Sequence, residues 1–233
     1  MFTRILTSGL IAGALAGIVA ALLQLIFVQP VLLHAELYET GVLTHFDAGA
    51  PSDAVPDLPG FDLMRDGLSV LFTMLVYAGY GLMLVAAMSL AAERGATIDA
   101  RQGVVWGVAG FVAVHLAPGF SLPPEVPGAA SADVGARQVW WFATVAATVL
   151  GLWCMAFGRG AAFVAAGAGL ILAPHLIGAP EPAVLTGPAP TELGALFAAR
   201  AFGVGLVAWV LTGALAGWLW AADEASEAAA GRP

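Results

Sequence analysis

The chain of 233 residues is 60% apolar and only 10% charged, with mean hydropathy +0.90 and a formal net charge of −8. Soluble domains carry roughly 45–50% apolar and about 25% charged residues, so an ordinary water-soluble globule is excluded, as are a disordered chain and a Gly-X-Y fibre. All eight bases are arginine, and eight bases against sixteen acids cannot build a nucleic-acid-binding face. The single cysteine, Cys154, excludes an internal disulfide or a CxxC metal site.

Stretches free of Asp, Glu, Lys and Arg cover 5–35, 67–92, 102–124, 138–158, 160–180 and 201–222. A helix needs about 20 apolar residues to cross the hydrocarbon core. Helix is the form that satisfies every backbone group of an open chain in lipid, and no period-2 alternation points to a barrel. The chain is therefore expected to be all-α, a polytopic transmembrane helix bundle forming one domain over 1–222. Its six spans are expected at about 5–28, 67–92, 103–117, 139–157, 160–177 and 201–222, with five possible if 103–117 or 160–177 only half-crosses. Outer loops fall at 29–66, 118–138 and 178–200, followed by a polar tail over 223–233. The first span is read as retained rather than as a signal peptide. It far exceeds an h-region of about 7–15 residues, and no clear small-x-small cleavage site follows it.

Arginine placement orients the chain. With the N-terminus inside, the inner segments hold Arg4, Arg94, Arg101, Arg159 and Arg232, and the outer ones Arg65, Arg137 and Arg200. Both termini are then cytoplasmic. Trp140 and Trp141 fall at an outer helix end and Trp106, Trp153, Trp218 and Trp220 near inner ends, as interfacial indoles do.

The helices pair in sequence order into three out-and-back hairpins. Each outward helix ends in a Pro/His cluster: Pro30 with His34, His115 with Pro118, and Pro174 with His175. Each returning helix starts near an outer arginine. Such repetition is expected of a pseudo-symmetric transporter bundle, although helix ends commonly collect these residues. Gly9, Gly13 and Gly17 form a small-xxx-small stripe, which serves either internal packing or the docking of a second membrane protein.

All four histidines fall on or near the outer side. A neutral imidazole is a good ligand for Co, Ni, Cu and Zn. His115 and His175, at the edges of apolar helices, are candidate metal ligands, because a polar ring there needs a reason. Helix capping is the alternative reason. His34 and His45 are further candidates, with Glu36, Glu39 and Asp47 nearby. In an extended segment His34 and Glu36 would point the same way. The acids Glu36, Glu39, Asp47, Asp53, Asp57, Asp62 and Asp66 make an acidic mouth that concentrates divalent cations, or merely solvates the loop. The Pro-rich, largely apolar run 118–128, with the single carboxylate Glu125, is a re-entrant lid over a cation path or a rigid turn. Gln24 and Gln138 are polar positions along the path. The methionines of 64–88 share no clean face and are read as packing, as is Cys154. Without lysine there is no Walker A motif, so ATP hydrolysis by that route is excluded. The membrane potential alone offers a divalent cation about 4.6 kcal/mol per 100 mV.

Several segments carry a resemblance: Phe2-Thr3-Arg4-Ile5-Leu6, Gln24 to Pro30, Ala35-Glu36-Leu37-Tyr38-Glu39, His115 to Gly119, Leu122 to Gly128, Arg137-Gln138-Val139-Trp140-Trp141 and Pro174 to Pro180. Over about 1–220 the chain resembles a bacterial family of integral membrane proteins, the A-type subunits of the predicted cobalt transporter. The resemblance implies cobalt uptake across the inner membrane for cobalamin synthesis. It also implies a small one-span partner subunit with a histidine-rich metal motif. This chain has no such motif, so the first metal contact is expected on the partner. The family is usually described with five spans, against six counted here.

The leading expectation is a permease component for Co²⁺, or for Ni²⁺ or Zn²⁺, with no permanently bound cofactor and the lipid bilayer as solvent. Outer histidines and Glu125 would capture the ion. The rivals are a non-transporting scaffold that anchors the metal-binding partner through the Gly9/Gly13/Gly17 face, and an integral-membrane enzyme, ranked last because no nucleophile–base spacing appears.

Overall fold

The structure is a computed structural model that describes residues 2–45, 54–229 and 231. Asp47, Asp53 and Arg232 lie outside the described residues. Among the described residues there are six helices and no strand. Helix α1 joins Phe2–Leu23, a π turn at Gln24–Val28 and Gln29–Glu39. Helix α2 is Leu63–Ala92 and α3 is Ala100–Ser121, with a second π turn at Val112–Leu116. Helices α4, α5 and α6 are Val134–Phe157, Ala161–Ile177 and Thr191–Ala229. All but α5 are long and apolar enough to cross a membrane, while α5 has 17 residues, the lower limit for a crossing.

Several helices outrun the apolar stretches that foretold them. Charge marks where lipid ends, whereas caps mark where a helix ends. Asp62 caps α2 by accepting from the Arg65 amide at 2.7 Å, and Asp66 in turn accepts from the Asp62 amide at 2.9 Å. Asp133 caps α4 through the Ala136 amide at 2.9 Å, so that helix starts at Val134 rather than near 139. Helix α5 lies between Gly160 and Gly178, whose φ of 85° and 94° suit glycine alone. Helix α1 does not stop at Pro30 but continues to Glu39, so the first eleven residues of the expected outer loop are helical.

The chain divides into two compact units. The first holds the residues up to Leu25, Phe61–Phe111 and those from Gly203. Here Gly9, Gly13 and Gly17 seat α1 on α2. A Cβ on Gly9 would stand 2.9 Å from Leu82 Cα, and one on Gly17 2.7 Å from Met74 Cα; on Gly13 it would strike the Tyr77 carbonyl. This corrects the docking expectation: the stripe is covered from within by α2, because only glycine lets the two backbones approach so closely. Helix α3 packs on α6 in the same manner, with Gly103 and Gly107 against Gly213, and Gly217 against Asp99. The closest approach of α3 in this unit is thus to α6, not to its neighbour in sequence. Trp209 packs on Gly110, stacks on Tyr80 at 4.9 Å between ring centres and meets Tyr77 edge-on at 6.4 Å.

In the same unit the two ends of the chain meet. Arg4 pairs with Glu224 at 3.4 Å and with Glu227, and its guanidinium lies 4.9 Å over the Trp220 ring. Trp220 Nε1 donates to Glu224 at 2.7 Å, and Ser8 Oγ donates to Asp223 at 3.4 Å.

The second unit holds Ile26–Gly60 and Val112–Phe202. Helices α4 and α5 form a close hairpin where Gly151 and Gly167 leave room for backbone contact. Two irregular segments, 122–133 and 178–190, are tied together by the Ala130 amide donating to the Thr186 carbonyl at 2.9 Å. A Cβ on Gly128 would meet Pro188 at 3.0 Å and the Glu39 side chain at 3.4 Å, so the first segment lies against both the second and the end of α1. Large apolar side chains stay exposed along the helices of both units, among them Leu15, Leu22, Phe72, Leu75, Leu150 and Phe163. Such a surface is stable against hydrocarbon and costly against water.

Candidate functional site

Two π turns define the setting. In α1 the turn Gln24–Val28 is followed, after one residue, by Pro30; in α3 the turn Val112–Leu116 is followed, after one residue, by Pro118. Proline has no N–H and its ring crowds the carbonyl four residues earlier. Widening the preceding turn relieves that clash without breaking the helix, and such turns are often found at functional sites. Gln24 opens the first turn, and its amide oxygen accepts from Thr73 Oγ1 at 3.0 Å. In the second unit the Phe27 carbonyl accepts from Arg200 Nη1 at 2.9 Å. His115 sits in the α3 turn and is half-buried.

His34 lies four residues past Pro30 on the continued α1. The spacing puts His34 and Tyr38 on one face, with ring centres 5.5 Å apart and planes 28° from parallel. His45, beyond the helix end, meets the Tyr38 ring edge-on at 6.4 Å. His34 is 8% exposed and Tyr38 2%. His34 Nε2 and the Tyr38 hydroxyl are enclosed yet have no protein hydrogen-bond partner. Leaving such groups unsatisfied costs about 1–3 kcal/mol each. Glu36, by contrast, is two residues from His34 on a helix and points about 200° away from it. The expectation that the two point together rested on an extended segment and fails because α1 continues.

His175 is held at the end of α5. Its Nδ1 is 2.9 Å from Ser121 Oγ, and Phe120 and Trp140 meet its ring edge-on at 5.4 and 5.8 Å. Trp140 is fixed in turn by donating from Nε1 to the Pro174 carbonyl at 3.3 Å. Glu125 pairs with Arg137 at 2.8 Å, both side chains less than a third exposed. Its charge is thereby countered, and it anchors the Pro-rich segment to α4. Pro118 to Ser121 of that segment belong to α3, and the rest is irregular chain. Gln138 is exposed on the first turns of α4.

Among the described residues no three of His, Cys, Asp and Glu converge to hold a metal ion. Of the expected ligands, His34 and His45 share a ring cluster through Tyr38. His175 has its own aromatic setting, and Glu125 is engaged by an arginine. Sequence reasoning passes over Tyr38, Ser121 and the contact of Arg200. The i, i+4 spacing of His34 and Tyr38 is the available signal, and it becomes meaningful only once α1 is known to pass Pro30.

No curated protein and no solved structure matches the chain. The family described as "Probable cobalt transporter subunit (CbtA)" matches residues 2–221, nearly the whole length, and it groups transporter subunits rather than enzymes. With a helical, membrane-suited architecture carrying that match from end to end, the chain belongs to the CbtA family of probable cobalt transporter subunits.

Proposed function

We propose that the chain is the multi-span subunit of a system that takes up Co²⁺, or a chemically similar divalent ion, across the bacterial inner membrane and so supplies cobalamin synthesis. The observation that carries this reading is the family match over 2–221. The imidazoles of the second unit add chemistry suited to the ion, since neutral nitrogen donors favour Co, Ni and Zn over Mg and Ca.

The partner is a small one-span subunit with a histidine-rich motif that makes the first metal contact. The isolated donors of this chain fit a role in passage rather than capture. The contact of Arg4 with Glu224 and Glu227 supports an even number of crossings, with both termini on one side. Six crossings follow if α5, about 25 Å long, also spans. Arginine placement favours the cytoplasm for that side.

Uptake of radioactive cobalt into cells that produce this chain, the partner, or both tests the reading. Accumulation is expected with both together. No accumulation above the partner alone would remove it.

A further inference from the structure

We propose that His34 and Tyr38 form a transit station for a divalent transition-metal cation. His34 Nε2 is the direct ligand, and the Tyr38 hydroxyl holds a water carried by the ion. The proposal rests on the transporter reading above. Its first support is that these two polar atoms are enclosed and unpartnered, on side chains more than nine-tenths buried. Their neighbours Val31, Leu33 and Ala35 are apolar and buried, so nothing nearby on α1 satisfies them. A pair of phenylalanines would fill the same space without an unsatisfied group, whereas a polar guest gives both atoms a role.

The donors also select the guest. An imidazole nitrogen is a borderline-soft ligand that suits Co, Ni and Zn, and the i, i+4 spacing aligns ring and hydroxyl on one face. Neither donor is a carboxylate. The ion is therefore held by neutral groups and leaves readily, as conduction requires. His45, in edge contact with Tyr38, brings a second imidazole to the same cluster.

Co²⁺ titration of the purified full chain, read by visible absorption and by competition with a fluorescent chelator, tests the station apart from transport. Replacing His34→Gln should weaken Co²⁺ binding by well over tenfold, and the near-isosteric Tyr38→Phe, which removes only an outer-shell hydroxyl, by about tenfold. Neither should melt below the parent, and Tyr38→Phe, which removes an unsatisfied hydroxyl, should melt at or above it. Cobalt uptake into vesicles containing the chain and its partner should fall in the same order. If the parent binds no Co²⁺, or His34→Gln and Tyr38→Phe bind it as the parent does, the two groups enclose only water and the proposal is overturned. Absent uptake by the parent system, with His34-dependent binding intact, would instead overturn the transporter reading and leave the station standing.

Discussion

Arg200 Nη1 donates to the backbone carbonyl of Phe27 at 2.9 Å, and Phe27 lies inside the π turn of α1. A π turn upsets the regular ladder, and the missing N–H of Pro30 removes a further donor just beyond it. The guanidinium adds a donor to this turn from outside the helix. An arginine in the third turn of α6 thus has a structural task on α1.

Arg200→Ala is expected to cost about 1–2 kcal/mol, the range of a charge-assisted hydrogen bond at a partly exposed site. Thermal unfolding of the purified chain in detergent measures it. Arg200→Lys should recover part of the loss, since an ammonium can reach a carbonyl but lacks the planar fork. Equal stability of all three chains would show that the π turn needs no outside donor.

The glycine stripe of α1 gives a sharper contrast. Gly13→Ala places a methyl group against the Tyr77 carbonyl and is expected to destabilise by about 1–3 kcal/mol or more, as overpacking does. Gly79→Ala on α2 meets open space and should be neutral or gain up to about 1 kcal/mol in helix propensity. Melting temperatures of the two variants separate internal packing from partner docking. If Gly13→Ala left the isolated chain unchanged and abolished only assembly with the partner, the docking reading would return.

Glu125, the lone carboxylate of a Pro-rich run, has the look of a metal ligand in the sequence. Its pairing with Arg137 gives it another task. Glu125→Gln should lower stability by about 0–1 kcal/mol, the usual range for a partly solvated ion pair. Cobalt affinity of the purified chain should stay within about twofold of the parent. A tenfold loss of affinity would restore Glu125 to the ligand set.

The fold is legible because lipid imposes a simple rule on composition. Charge-free stretches announce every helix among the described residues, and the Pro/His clusters mark real transitions. Backbone detail is what composition does not carry. Pro30 looks like a stop for the first helix, but the π turn before it lets α1 run on to Glu39. That single feature moves His34 from a loop to a helix face, separates it from Glu36 and pairs it with Tyr38. Likewise, Gly103, Gly107 and Gly213 carry the signal for α3 packing on α6. Nothing in their spacing tells which glycine stripe faces which.

The meeting of Arg4 with Glu224 and Glu227 makes a topological prediction. The first turn of α1 and the last turns of α6 share one end of their unit, so the chain must return to the side from which it set out. Five long apolar helices alone would deliver it to the opposite side. The prediction is that the short α5 completes the parity, its 17 residues making about 25 Å of helix, the least that crosses. Single cysteines introduced at Thr3 and Ser226, after Cys154→Ala, should react with an impermeant reagent from the same side of intact cells or inverted vesicles. A cysteine at Ser131 or Thr186 should react from the other side. Labelling of Thr3→Cys and Ser226→Cys from opposite sides would mean that α5 does not cross, and would require the contact of Arg4 with the end of α6 to be absent in the membrane.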